Sequence, residues 1–121
     1  AGDLYPRPLA LAALAFPVMP MEFPTVATAP GVSRQGPSDH PALMVVAFRF
    51  DTGAEGALHH HPHVQATYVQ SGRFVFTVDG VESAVGPGDS FVIPGGAPHG
   101  CRCLEAGLLI DSFTPRRDDF L

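Results

Sequence analysis

From Leu43 onward the chain is a succession of short β-branched and aromatic runs cut apart by Gly, Pro and Asp, a pattern that leaves no room for a long helix. LMVVAFRF is the first clear strand and DTGAEG closes it. ALHHH and QATYVQ follow on either side of a His-Pro-His turn. RFVFTV then meets Asp79-Gly80, a dipeptide suited to a type I′ hairpin because both residues tolerate positive φ, and VESAV returns. GPGD makes a turn, SFVIP a strand, GGAPHG a turn, CRCLE a strand, EAG a turn and LLIDSF the last strand. Strands repeating every ~8 to 12 residues predict an all-β sandwich or barrel. The tail PRRDDFL leaves the pattern at Pro115, its charges expected at the surface or over the barrel mouth.

Residues 1–41 are different. They hold eight of the thirteen prolines, which argues against long regular elements and predicts an extended arm, with the barrel occupying residues 42–121. Leu9–Phe16 could form a short buried helix, and Met21 is a candidate natural start. The apolar run there is too short to span a bilayer, and its flanking prolines speak against a secretory leader.

At 121 residues, with 45% hydrophobic side chains, one domain with one core is expected. A net charge of −5, from seven arginines and no lysine against twelve acids, excludes a basic stripe for nucleic acid or an anionic membrane, and every Schiff-base mechanism. Cys101 and Cys103 share one side of a strand, a spacing ill-suited to a mutual disulfide. Free thiols fit a reducing compartment and a cytoplasmic location.

Chemistry concentrates in HHHPHVQATYVQSG, His59 to Gly72. Imidazole is the commonest metal ligand, and strand side chains two apart share a face, so His59 and His61 can grip one ion. Gln65 has the same parity and offers a carbonyl oxygen. A fourth ligand must come from elsewhere. His99, just beyond the SFVIP strand and its Pro/Gly turn, is preferred over His40 in the Pro-rich arm. His63 follows the strand-breaking Pro62 and is kept as a reserve ligand or a supporting group.

In the last strand Leu109, Asp111 and Phe113 share one face, Ile110 and Ser112 the other. If the odd face is inward, Asp111 is a carboxylate in an apolar cavity and calls for a function or a hydrogen-bond partner. If not, it faces water at the rim. Tyr68 and Gln70 read as sheet residues, and Phe74, Phe76, Phe91 and Val92 as core.

These segments resemble the cupin superfamily. Its first motif appears as Gly53, five residues, His59, one, His61, three, Gln65, six, Gly72, and its second as Gly88, five residues, Pro94, one, Gly96, two, His99. Gln65 stands where most cupins carry Glu, and Cys103 where the second motif usually has Asn. The resemblance implies a single-domain double-stranded β-helix, or jelly-roll barrel, holding one divalent ion (Zn, Ni, Fe, Mn or Co) through His59, His61, Gln65 and His99. Within the superfamily, GALHHHPHVQATYVQSGRFVFTVDG, PGDSFVIPGGAPHGCRCLEAG and the ending LIDSFTPRRDDFL resemble the KdgF family of pectin-degradation proteins. That likeness covers Leu43 to Leu121. It implies conversion of 4,5-unsaturated uronates to open-chain 5-keto-4-deoxyuronate by enol–keto tautomerisation. It also implies Asp111 as acid/base, Arg117 as the carboxylate clamp and Phe113 packing on the sugar. The expected partners are a small anionic sugar and, from the arm, a second copy in a homodimer. Three neutral imidazoles and an amide would leave an ion's charge uncompensated, which suits an anionic substrate. The competing expectations are a non-catalytic sugar- or metal-sensing cupin, and an iron cupin dioxygenase or lyase acting on a small organic acid.

Overall fold

The computed structural model describes residues 24–121. They form eight antiparallel strands: β1 (Thr25–Ala29), β2 (Val32–His40), β3 (Leu43–Phe50), β4 (Glu55–His59), β5 (Val64–Val78), β6 (Val81–Val85), β7 (Ser90–Ile93) and β8 (His99–Thr114). A single 3-10 turn, Asp118–Phe120, follows. The sheet runs β1-β2-β3-β8-β5-β6, with β4 added to β8 and β7 to β5. Leu9–Phe16 and Met21 lie outside the described residues. No described helix is long and apolar enough to cross a membrane.

β5 and β8 organise the molecule. They pair along their whole lengths, from Val64 opposite Thr114 to Val78 opposite His99, so each belongs to both walls of the barrel. One end of β8 also pairs with β3 and the other with β4. The roll from wall to wall comes at Val69–Phe74, where the register slips repeatedly. Gly72 there has φ +84°, and a Cβ on it would stand 2.6 Å from the Glu105 carbonyl oxygen and 2.7 Å from the Gly107 Cα. Two backbones come this close only where both lack side chains.

Two expected turns are therefore bends. The glycine after QATYVQ and the EAG segment do not end strands: QATYVQSGRFVFTV is one strand and CRCLEAGLLIDSF another. The Asp79-Gly80 hairpin has positive φ at both residues (50° and 79°), as its turn type requires. Residues 25–40, expected as an arm, are extended but are built into the sheet as β1 and β2, with Val32–His40 laddered onto Leu43–Phe50. Pro37 falls where the register between Gln35 and Ser38 shifts, so the ladder passes a residue with no N–H to give.

The inner faces make two apolar clusters. One joins Val32, Phe50, Val69, Phe74, Phe76, Cys103 and Leu109, the other Met44, Val46 and Phe113. Val92, read as core, is instead 62% exposed on β7, while Phe91 turns inward against Phe76. Cys101 and Cys103 are free. Burial pushes the Cys101 thiol up to about 12 and raises that of Cys103, so neither is a nucleophile at neutral pH.

Candidate active site

His59 closes β4 and His99 opens β8, and the two are direct cross-strand partners. His61 follows on the short link to β5, and its ring centre lies 4.8 Å from that of His99. The ligand atoms of His59, His61 and His99 all fall within 4.8 Å of one another. His61 and His99 are buried and His59 is exposed, so the cluster sits at the barrel mouth. His60 and His40 are exposed, and His40 accepts a bond from the Ala42 N–H.

The hydrogen bonds decide which nitrogens face the cluster. Each Nδ1 meets a backbone carbonyl: His59 that of Ala57 (2.8 Å), His61 that of His63 (3.0 Å) and His99 that of Ala97 (2.8 Å). A carbonyl only accepts, so in His59 and His99 the proton of the neutral ring sits on Nδ1 and Nε2 keeps its lone pair, whereas His61 meets a carbonyl oxygen at each nitrogen and can donate from either. Burial holds the His61 and His99 imidazoles below the usual value of 6.5, with the Arg117 charge adding to the shift at His61, and this favours the neutral form.

His99 Nε2 is buried without a hydrogen-bond partner among the described residues. His61 Nε2 lies 3.1 Å from Gln65 Oε1. Without an ion His61 can donate from Nε2 to that oxygen, and with its proton on Nδ1 the two lone pairs face the same point and can both bind a cation. Two neighbouring ligands at about 2.1 Å from one ion stand about 3.0 Å apart in octahedral and about 3.4 Å apart in tetrahedral geometry. The donor set therefore fits a divalent metal: three imidazole nitrogens and an amide oxygen. His63 is left outside, its carbonyl fixing the His61 ring.

A hydrogen-bond chain leads inward from this cluster. Gln65 Nε2 donates to Thr67 Oγ1 (3.0 Å), and Thr67 donates to Asp111 Oδ1 (2.7 Å). Alternation along β5 puts Gln65 and Thr67 on one face, and Asp111 is the register partner of Thr67. The odd face of β8 is the inner one: Leu109, Asp111 and Phe113 are 2%, 6% and 1% exposed. Burial raises the Asp111 carboxyl from 3.8 to about 7, against the opposing pull of the Thr67 and Gln65 hydrogen bonds and the Arg117 charge. Thr67 was not singled out in the sequence, although its parity with Gln65 carried the signal.

The tail folds back over the mouth instead of fraying into solvent. Arg117 is 9% exposed, its guanidinium 4.2 Å from the centre of the Phe120 ring and 5.2 Å from that of Phe113. Asp119 accepts from Arg117 Nε (2.9 Å) and Nη2 (2.7 Å), and this pairing holds the Asp119 carboxyl below its usual range. Phe120 meets Phe48 and Phe113 edge-on. The result is a cavity of about 310 Å³. His59, Gln65, His99 and Asp111 line it together with Arg34, Phe48, Arg117 and Phe120. Arg34, Asp119 and Phe120 were invisible in the sequence, because only tertiary packing brings β2 and the tail to the mouth.

The cupin-domain family profile matches residues 46–110 of this chain. The chain belongs to the cupin family. This cupin is 40% identical to the pectin degradation protein KdgF of Dickeya dadantii over 81 residues, which cover 65% of this chain and 74% of that protein. Its fold superposes on KdgF from a Halomonas species with a TM-score of 0.77 and 41% identity, over 81% of this chain and 93% of the other. An RmlC-like cupin from Shewanella frigidimarina gives a TM-score of 0.78 and 41% identity, over 82% of this cupin and 89% of its relative.

Proposed function

We propose that this cupin is a metal-dependent enzyme that converts 4,5-unsaturated uronates, the fragments released by pectate and alginate lyases, to open-chain 5-keto-4-deoxyuronate. The observation that carries the reading is Asp111, a buried carboxyl of raised pKa joined through Thr67 and Gln65 to a three-histidine cluster within one cavity. The 40% identity to a pectin degradation protein supports the substrate class.

His59, His61, His99 and the Gln65 carbonyl oxygen would hold the ion, a set that Zn, Ni, Fe, Mn or Co can each accept. Bound there, a dication supplies Lewis acidity that favours negative charge on an enol oxygen.

The residues of the chain do the rest. Opening the ring breaks the hemiacetal carbon's bond to the ring oxygen, the hemiacetal hydroxyl proton passing to that oxygen to leave an aldehyde and an enol; ketonisation then moves one proton from the enol oxygen to the neighbouring carbon, with no net change of atoms or electrons. A carboxyl with a pKa near 7 is suited to carrying that proton in either direction at neutral pH. Thr67 has a single hydroxyl proton, which goes to Asp111 Oδ1 because Gln65 already donates to the Thr67 oxygen. Oδ1 is then fixed as an acceptor. Arg117 gives one edge of its guanidinium to Asp119 and keeps the Nη1/Nη2 edge for a substrate carboxylate. Phe113 lines the same cavity and would back the sugar site from beneath Arg117. The two free cysteines support a reducing compartment such as the cytoplasm.

The test is to supply an unsaturated monouronate and follow the loss of its conjugated chromophore beyond the spontaneous rate. Asp111→Asn should lower kcat by about 10²- to 10⁴-fold while the protein keeps its metal. An unchanged rate in that variant would remove Asp111 from the mechanism.

A further inference from the structure

A second arginine enters the cavity, from β2. Arg34 is the register partner of Phe48, which in turn faces Leu109 on β8, so Arg34 belongs to an inward row. A cation on the inner face of a barrel is costly unless something there compensates it. None of the ion pairs among the described residues includes Arg34. Its contact is the Phe120 ring, whose centre lies 4.2 Å from the guanidinium carbon, the same distance as for Arg117.

The two arginines differ in charge balance. Arg117 is paired through two hydrogen bonds to Asp119 and so is largely neutralised by the protein. Arg34 lies by its flat face on an aromatic ring, which fixes the guanidinium while leaving its N–H edges open to an oxyanion. Of the acids lining the cavity, Asp111 spends one oxygen on Thr67, and Glu55 is exposed.

We propose that Arg34 and Arg117, both set on Phe120, form a two-arginine seat for the carboxylate of a monouronate. Arg34 is the specificity-determining residue of the pair, because its charge is left for the ligand. The inference rests on the proposed uronate chemistry and names which residue selects the acid over the neutral sugar.

The test uses the full chain loaded with zinc, and the variants Arg34→Gln and Arg34→Lys. Arg34→Gln should raise KM for the unsaturated monouronate by about 10- to 100-fold with kcat little changed, the scale of losing a charged hydrogen bond. Arg34→Lys, which keeps the charge but not the flat fork, should fall between. Calorimetric binding of galacturonate should weaken in parallel, and the preference for galacturonate over galactose should shrink. Zinc content and Tm should stay at wild-type values, and a fall in either that matches the loss of binding would make Arg34 structural and overturn the seat. Wild-type turnover with a KM indifferent to Arg34 would sink this inference alone. Arg34-dependent galacturonate binding without turnover of the unsaturated uronate would sink the proposed reaction and leave the seat. A wild-type protein that neither binds galacturonate nor turns over the unsaturated uronate would overturn both.

Discussion

Thr67 shows how much one hydroxyl can decide. It is fully buried, accepts a hydrogen bond from the Gln65 amide and donates one to Asp111, so the order of donors along the chain is fixed. Gln65 must then turn its carbonyl oxygen toward the histidines. Thr67→Val keeps the shape and removes both bonds. It should lower stability by about 1–3 kcal/mol through the polar groups it orphans. It should also weaken zinc binding by about 10- to 100-fold, because the amide loses its orienting partner. Competition with a chelator measures the second effect, and Thr67→Ser should restore it. The candidate ligands His59, His61 and Gln65 could be picked out by their recognisable spacing, although His61 lies on the link past the end of β4 and not on a strand. Thr67 keeps the parity of Gln65, yet a threonine in a strand is so ordinary that nothing marked it. Arg34 was hidden for the opposite reason: it precedes Gly36-Pro37, which locally reads as the end of a regular element.

At the scale of elements, the two long strands account for the two turns misplaced in reading the chain. Glycine and the EAG run signal correctly that the backbone departs from a plain strand, but local chemistry does not say whether the chain reverses or rolls onto another wall. Here it rolls, because Gly72 and Gly107 let β5 and β8 approach where both bend. Gly72 and Gly80 both have positive φ, but a Cβ at Gly80 would have nothing within 4 Å. Gly80→Ala should therefore cost only backbone strain, about 1–2 kcal/mol. Gly72→Ala adds a steric overlap with backbone atoms and should cost about 1–3 kcal/mol more. Urea unfolding of the two variants separates the terms, and equal losses would mean that the strands do not meet at Gly72. The hairpin at Asp79-Gly80 was legible in full, since its turn depends on two adjacent residues alone.

For the molecule as a whole, the histidine cluster joins the short strand β4 to the centre of the sheet, and an ion seated there would act as a cross-link. A thousandfold excess of metal over its Kd adds about 4 kcal/mol to stability, so chelation should lower Tm by about 15 °C. Acid should act in the same direction on the histidine contribution. His61 and His99 have folded values below 6.5, so the unfolded chain takes up protons first. Their contribution is complete above pH 6.5 and is lost as pH falls through the depressed values. Thermal melts with and without zinc from pH 8 down to pH 5 check both statements. An equal Tm with and without zinc at pH 8 would rule out the cross-link. The stretch that marks this chain as a cupin, residues 46–110, holds every candidate ligand to the ion, but Arg34, Asp111, Phe113, Arg117 and Phe120 all lie outside it. The signature of kinship and the residues proposed to choose the cargo are thus written in separate passages. Lineages could exchange one while preserving the other, and surveys confined to the shared passage will group together proteins that handle unrelated molecules.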